Sequence, residues 1–126
     1  MTGGRSNLDF QSLDLVSGFE PRPGGVAGIT QKILGGDLDT QAKRGCRTRL
    51  LRMVPGCETP EAHAHDYMEE LYILEGDLIA LDQPRKPRRF DAPSYACRTP
   101  GAMHGPLRTE RGCLLLEFAW YPASTA

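Results

Sequence analysis

Nothing in this chain is spaced for a zinc ribbon or a thioredoxin-like centre. It has four cysteines, Cys46, Cys57, Cys97 and Cys113, but no C-x-x-C pair. They read as small buried hydrophobes kept reduced. Cys57 stands apart, because it lies in the loop leading to His63 and could sit near whatever that histidine binds. Charge of one sign is also missing. A formal net charge of −1 offers no whole-protein field to attract nucleic acid or an anionic membrane. No apolar run approaches the roughly 18 to 20 residues that span a bilayer. Residues 1–7 lack the apolar stretch of a secretory signal and read as a frayed Gly/Ser/Asn-rich tail. The expected location is the cytoplasm. Uninterrupted chain is scarce too, since 14 glycines and 10 prolines recur at short intervals and leave little room for a helix.

What remains is an ordinary globular composition, 40% hydrophobic and 25% charged over 126 residues, which suits one domain with one core over residues 8–126. Short runs with strand character fall at 47–54, 69–74, 77–81 and 113–121. Many short strands between turn signals predict an all-β sandwich or barrel. In the last run Leu114, Leu116, Phe118 and Trp120 share one face by period-two alternation. The other face, with Cys113, Leu115, Glu117, Ala119 and Tyr121, is too apolar for full exposure. A strand apolar on both faces calls for a second covering layer, from within the fold or from a second subunit, and a homodimer is expected. The basic segment 84–89 reads as a solvated hairpin connection, the alternative being a contact with phosphate.

Histidine is the scarcest informative residue. The three, His63, His65 and His104, fall in two short segments, and none is left for general surface. Residues two apart on a strand share a face, so His63 and His65 can address one centre. On a helix they would diverge by about 200°. Glu69 would lie roughly 13 Å further along a straight strand, too far to share a metal with bonds of about 2.0–2.2 Å. The chain must therefore turn at Asp66, Tyr67 and Met68 and bring Glu69 back on an adjacent strand. His104, between Pro100-Gly101 and Gly105-Pro106, can reach the same centre only by tertiary closure. Three imidazoles and a carboxylate suit iron, manganese, nickel or zinc better than calcium or magnesium.

Glycine, H-x-H, glutamate, glycine, and then a distant P-G-x-x-H give the sequence a resemblance to the cupins, small double-stranded β-helix (jelly-roll) barrels. Gly56, His63, His65, Glu69 and Gly76 match the first motif, with six residues rather than the usual five between Gly56 and His63. The second motif, 93–104, is looser. Pro93 stands where a glycine is usual, Pro100 directly precedes Gly101, and no asparagine follows His104 at the usual spacing. The motif spacing selects Glu69 over Glu70, with Leu71 and Ile73 on the same inner face. The resemblance implies antiparallel strands in two sheets and a divalent metal on His63, His65, Glu69 and His104. The segments 104–107 and 112–117 are similar to those of the metal-binding domain of zinc-dependent anti-sigma factors and of small diketone dioxygenases. The helical domain of the former has no expected counterpart here.

A cupin fold does not fix a reaction. One expectation is an iron(II) dioxygenase whose small organic substrate sits beside the metal. Its dry wall would be Leu51, Met53, Leu71, Ile73, Phe118 and Trp120, with Tyr67 and Met103 near the ligands. Arg47 and Arg49 share strand parity with Leu51 and Met53, so one could hold a carboxylate or enolate; the alternative is a solvated strand face. The competing expectations are a non-catalytic zinc-binding or sensor module, in which Cys57 could respond to redox, and a metal-dependent sugar isomerase.

Overall fold

Period-two alternation cut by glycine and proline gives eight strands and no helix among residues 5–123, the part that the computed structural model describes. The strands are β1 (Glu20–Pro21), β2 (Ile29–Asp39), β3 (Arg44–Met53), β4 (Met68–Ala80), β5 (Arg88–Asp91), β6 (Ser94–Arg98), β7 (Leu107–Arg108) and β8 (Cys113–Trp120). Every pairing is antiparallel. One sheet runs β1-β2-β3-β8-β4, with β6 on the far side of the first half of β4. The second half of β4 pairs instead with β5 and β7. The architecture is the expected all-β jelly roll. No helix of the described residues is long and apolar enough to cross a membrane.

The runs at 69–74 and 77–81 are one strand, not two. The register of β4 against β8 slips between Ile73 and Glu75, and Gly76 follows with φ of +84°. A side chain there would collide with the carbonyl of Gly112, so only glycine lets β4 bend and continue into the second sheet. The glycine that read as a turn is a bend.

Ile29, Leu51, Met53, Cys57, Ile73, Leu78, Cys113 and Leu115 form the buried cluster inside the barrel. Each large aliphatic side chain there contributes roughly 1.5–3 kcal/mol by leaving water. All four cysteines are free thiols. Cys57 belongs to this core and donates its S–H to the Ala27 carbonyl at 3.5 Å.

Strand β8 is covered on both faces, as its composition requires. Cys113, Leu115, Glu117 and Ala119 point inward, while Leu114 is 1% exposed on the other face. The chain before β2 supplies part of the outer cover. Arg5 stacks over Phe118 at 5.3 Å, the Arg52 guanidinium donates to the Leu15 carbonyl, and Phe19 lies under Lys32 and Arg52. Of the tail expected over 1–7, residues 1–4 lie outside the described residues; Arg5 bonds Thr48 at 2.5 Å. In the basic segment Arg88 pairs with Asp82 at 3.1 Å, and Arg89 reaches Asp77 at 3.2 Å and Glu110 at 3.0 Å. Arg88 and Arg89 are answered locally, while the exposed Arg85 and Lys86 make no ion pair among the described residues.

Candidate metal centre

The two histidine segments meet outside the regular strands. His63 and His104 face each other in an antiparallel bridge, exchanging two backbone hydrogen bonds of 2.8 Å, and the Gly101 N–H donates to the His65 carbonyl at 2.8 Å. Both histidines of H-x-H are on extended backbone, and the chain bends at Asp66 and Tyr67 before Met68 opens β4. The Tyr121 hydroxyl donates to Asp66 at 2.7 Å and ties that bend to the end of β8.

The ligating nitrogens of His63, His65 and His104 lie within 4.8 Å of one another. Two ligands with bonds of about 2.1 Å can be at most about 4.2 Å apart, so a small contraction suffices for a shared ion. Burial, then the neighbouring His63 and His65, pushes His104 down to about 4. Burial and His63 lower His65 in the same way. Neutral imidazoles offer the lone pairs that a metal requires. Tyr67, 8% exposed, stacks on His65 at 4.6 Å and 9°, which fixes that ring.

Glu69 is 3% exposed and faces the same chamber, whereas Glu70 faces outward and accepts from the Tyr95 hydroxyl at 2.7 Å. The Glu69 carboxyl is engaged with Glu117, itself 1% exposed. Glu117 is clamped by Arg47 at 2.9 Å and Arg49 at 2.7 Å, and Arg49 also donates to Gln31 at 2.7 Å. Burial, then the hydrogen bond and charge of Glu117, hold Glu69 well above the usual carboxylate range. Burial opposes ionisation of Glu117 too, but the bonds from Glu69 and Arg49 and the charge of the two arginines outweigh it. Glu69 is thus held toward its neutral form and Glu117 toward its charged form, as one coupled pair. Among the buried atoms beside the cluster without a hydrogen-bond partner are Nε2 of His104 and Oε1 of Glu69. Each orphan costs about 1–3 kcal/mol. A cation on the three imidazoles would answer His104 Nε2, so these residues fit a divalent metal; Glu69 faces the chamber, but its carboxylate is not among the donor atoms that lie within 4.8 Å of one another.

The chamber around these groups is small, about 100 Å³. It opens on one side into a cavity of about 660 Å³ lined by Arg22, Arg47, Arg49, Gln31 and Tyr67 together with His63 and His65. On another side His104 borders a largely apolar groove of about 200 Å³ walled by Leu71, Leu78, Phe90, Leu107 and Leu115, with Arg88 and Arg98 at its edge.

Of the residues expected near the metal, Arg49, Leu51, Met53 and Leu71 line the chamber, Tyr67 lines the outer cavity and Ile73 the apolar groove. Three lie elsewhere. Met103 is 66% exposed. Phe118 and Trp120 lie on the outer face of β8, because Phe118 stands opposite outward-facing Glu70 while Glu117 stands opposite inward-facing Leu71. Directly paired residues share a sheet face. Apolarity had chosen the wrong face: the inner one carries a glutamate whose charge two arginines neutralise. Cys57 is directed into the core and is absent from the chamber wall. Sequence reasoning missed Glu117, Arg22, Gln31 and Leu115. Two arginines on an inward strand face demand an anion, and that signal pointed to Glu117. No comparable signal marked Arg22, in a run of prolines and glycines.

No family model and no curated protein matches the chain. Solved structures do. An RmlC-like cupin from Shewanella frigidimarina is 18% identical, covering 93% of this chain and 95% of its own, with a TM-score of 0.65. An acetylacetone dioxygenase from Acinetobacter johnsonii is 18% identical over 92% of this chain and 79% of its own, TM-score 0.62. A chain of the Rhodobacter sphaeroides complex of SigE with the anti-sigma ChrR is 24% identical over 73% of this chain and 44% of its own, TM-score 0.53. The chain has the cupin fold, with a triple-histidine cluster inside the barrel.

Proposed function

We propose that this is a metal-dependent dioxygenase of the cupin fold, acting on a small organic substrate, with His63, His65, Glu69 and His104 holding the metal. The observation that carries the reading is the space beside the cluster. A structural zinc site is closed by its protein ligands, whereas these imidazoles border a cavity of about 660 Å³. Iron(II) held there would supply dioxygen activation. The chain's own residues would do the rest: Tyr67 orients His65, Arg49 and Glu117 position Glu69, and Leu51, Leu71 and Leu115 keep the chamber dry. The fold likeness to the acetylacetone dioxygenase supports the choice of a diketone or related acid as first substrate. Ionisation of Glu69 is part of the proposal, since its surroundings hold the carboxyl above the usual carboxylate range and a metal takes the charged form.

A second reading, a zinc-binding sensor, draws on the engagement of Glu69 with Glu117, which leaves three imidazoles as the ready donors, and on the likeness to the SigE–ChrR complex. Metal analysis of protein purified without added metal, followed by oxygen-consumption assays of the iron form with acetylacetone and acetoacetate, separates the two. Iron with substrate-dependent oxygen uptake is the expected result. Tight zinc without oxygen uptake favours the sensor. A homodimer is part of the same proposal, supported by the exposure of Leu8, Phe10, Leu13 and Val16 before β1; sedimentation giving a monomer would remove it.

A further inference from the structure

The arginines of the outer cavity are not equivalent. Arg47 and Arg49 come from the inward face of β3, and both are committed to Glu117, at 2.9 and 2.7 Å. Arg22 comes from the loop just after β1 and lines both the outer cavity and the inner chamber. It thus stands at the passage between them. Among the described residues no carboxylate lies within 4.0 Å of its guanidinium, in contrast to the other two. Glu61 lines the outer cavity as well, but makes no ion pair with it. Burial, and then the like charge of Arg49, lower Arg22 from its ordinary value. Arginine does not give up its proton in proteins. A half-buried guanidinium that faces like charge and has no carboxylate of its own is open to an anion from outside the chain. A divalent cation on the histidines would raise the positive field further.

The geometry points to Arg22 as the substrate-anion residue: the cavity takes a small carboxylate, or an equivalent planar oxyanion, held by the Arg22 guanidinium with its other end toward the imidazoles. This rests on the reading of the cavity as a substrate site. The planar fork of arginine matches a carboxylate through two parallel hydrogen bonds, and Gln31 and Tyr67 in the same wall offer further polar contacts. A neutral diketone would leave Arg22 as it is, unanswered; a keto acid would not.

Binding of 4-oxopentanoate and of its neutral amide, measured by calorimetry on metal-free and zinc-loaded protein, tests this. The two probes have the same size and ketone and differ in charge. The wild-type protein should bind the acid at least about 10-fold more tightly than the amide. Arg22→Gln should erase that margin, and Arg22→Lys should restore part of it, with zinc content and melting temperature unchanged. Equal binding of acid and amide, or undiminished acid binding by Arg22→Gln, overturns the assignment. The metal-free arm separates this failure from that of the oxygenase reading. An Arg22-dependent preference for the acid with no oxygen uptake by the iron form keeps the anion site and removes the oxygenase. Oxygen uptake with acetylacetone that is indifferent to Arg22→Gln, with no preference for the acid, does the reverse.

Discussion

The imidazoles of His63, His65 and His104 stand between two unlike spaces. The outer cavity is walled by Arg22, Arg47, Arg49 and Gln31, the groove past His104 by Leu71, Leu78, Phe90, Leu107 and Leu115. Both are made from the same barrel, and the difference lies in which strand supplies the wall. Strand β3 presents arginines toward the mouth and Leu51 and Met53 deeper in, while Leu71, Ile73, Leu78 and Ala80 of β4 line the groove. An anion and a small apolar molecule would be favoured by different walls of one centre.

The largest expected effect lies on the cationic side. Glu117→Gln removes the anion between Arg47 and Arg49, and removing one partner of a buried ion pair costs about 3–5 kcal/mol. Urea denaturation should show a loss of that size; less than about 1 kcal/mol would mean that the arginines relax into solvent. Leu115→Ala opens the opposite wall and should cost about 2–4 kcal/mol while leaving metal content intact. Metal loss from that variant would show that the apolar wall, too, holds the site in shape. His104→Ala acts at the boundary itself, and metal affinity by chelator competition should fall roughly 100-fold or more, beyond the range seen for supporting residues. Full metal retention would overturn the assignment of this ligand.

The smallest expected effect is of pH on the metal-free protein. His104 is lowered to about 4 in the folded chain against an ordinary value of about 6.5. The folded state binds the proton less readily than the unfolded one, so this contribution is present above pH 6.5 and is lost as pH falls through about 4. Its size is of the order of 1–2 kcal/mol once the open cavity's screening is allowed for. Glu69, raised in the folded state, works in the opposite sense, losing its contribution as pH rises past the ordinary carboxylate range. Melting temperatures from pH 4 to 7 in His104→Ala should lack the first effect. An unaltered acid limb in that variant would assign it to other groups.

Much of the site was legible because it depends on spacing. H-x-H, the bend at Asp66 and Tyr67, and the inward parity of Glu69, Leu71, Arg49 and Leu51 follow from period two and bond lengths. What sequence could not fix is which face of β8 is inside. Leu116, Phe118 and Trp120 are the more apolar set, and the hydrophobic rule selects them. It fails because an inward Glu117 is neutralised by residues some 70 positions away in the chain (|i−j| of 70 to Arg47 and 68 to Arg49). Gly76 misled for a related reason: a positive-φ glycine marks a turn or a bend alike, and only the approach of Gly112 decides. Arg22 carries no periodic signal at all.

The reciprocal backbone bonds between His63 and His104 give the centre a mechanical character. They clasp two loops that no regular strand joins, across a long stretch of sequence, so an ion on those side chains would act as a cross-link laid over an existing clasp. Cross-links stabilise by restricting the open chain. Metal loading would therefore tighten the rim of the barrel, where a ligand must enter, and leave the sheets beneath it almost untouched. Occupancy of the centre and access to it would then be two readings of one quantity.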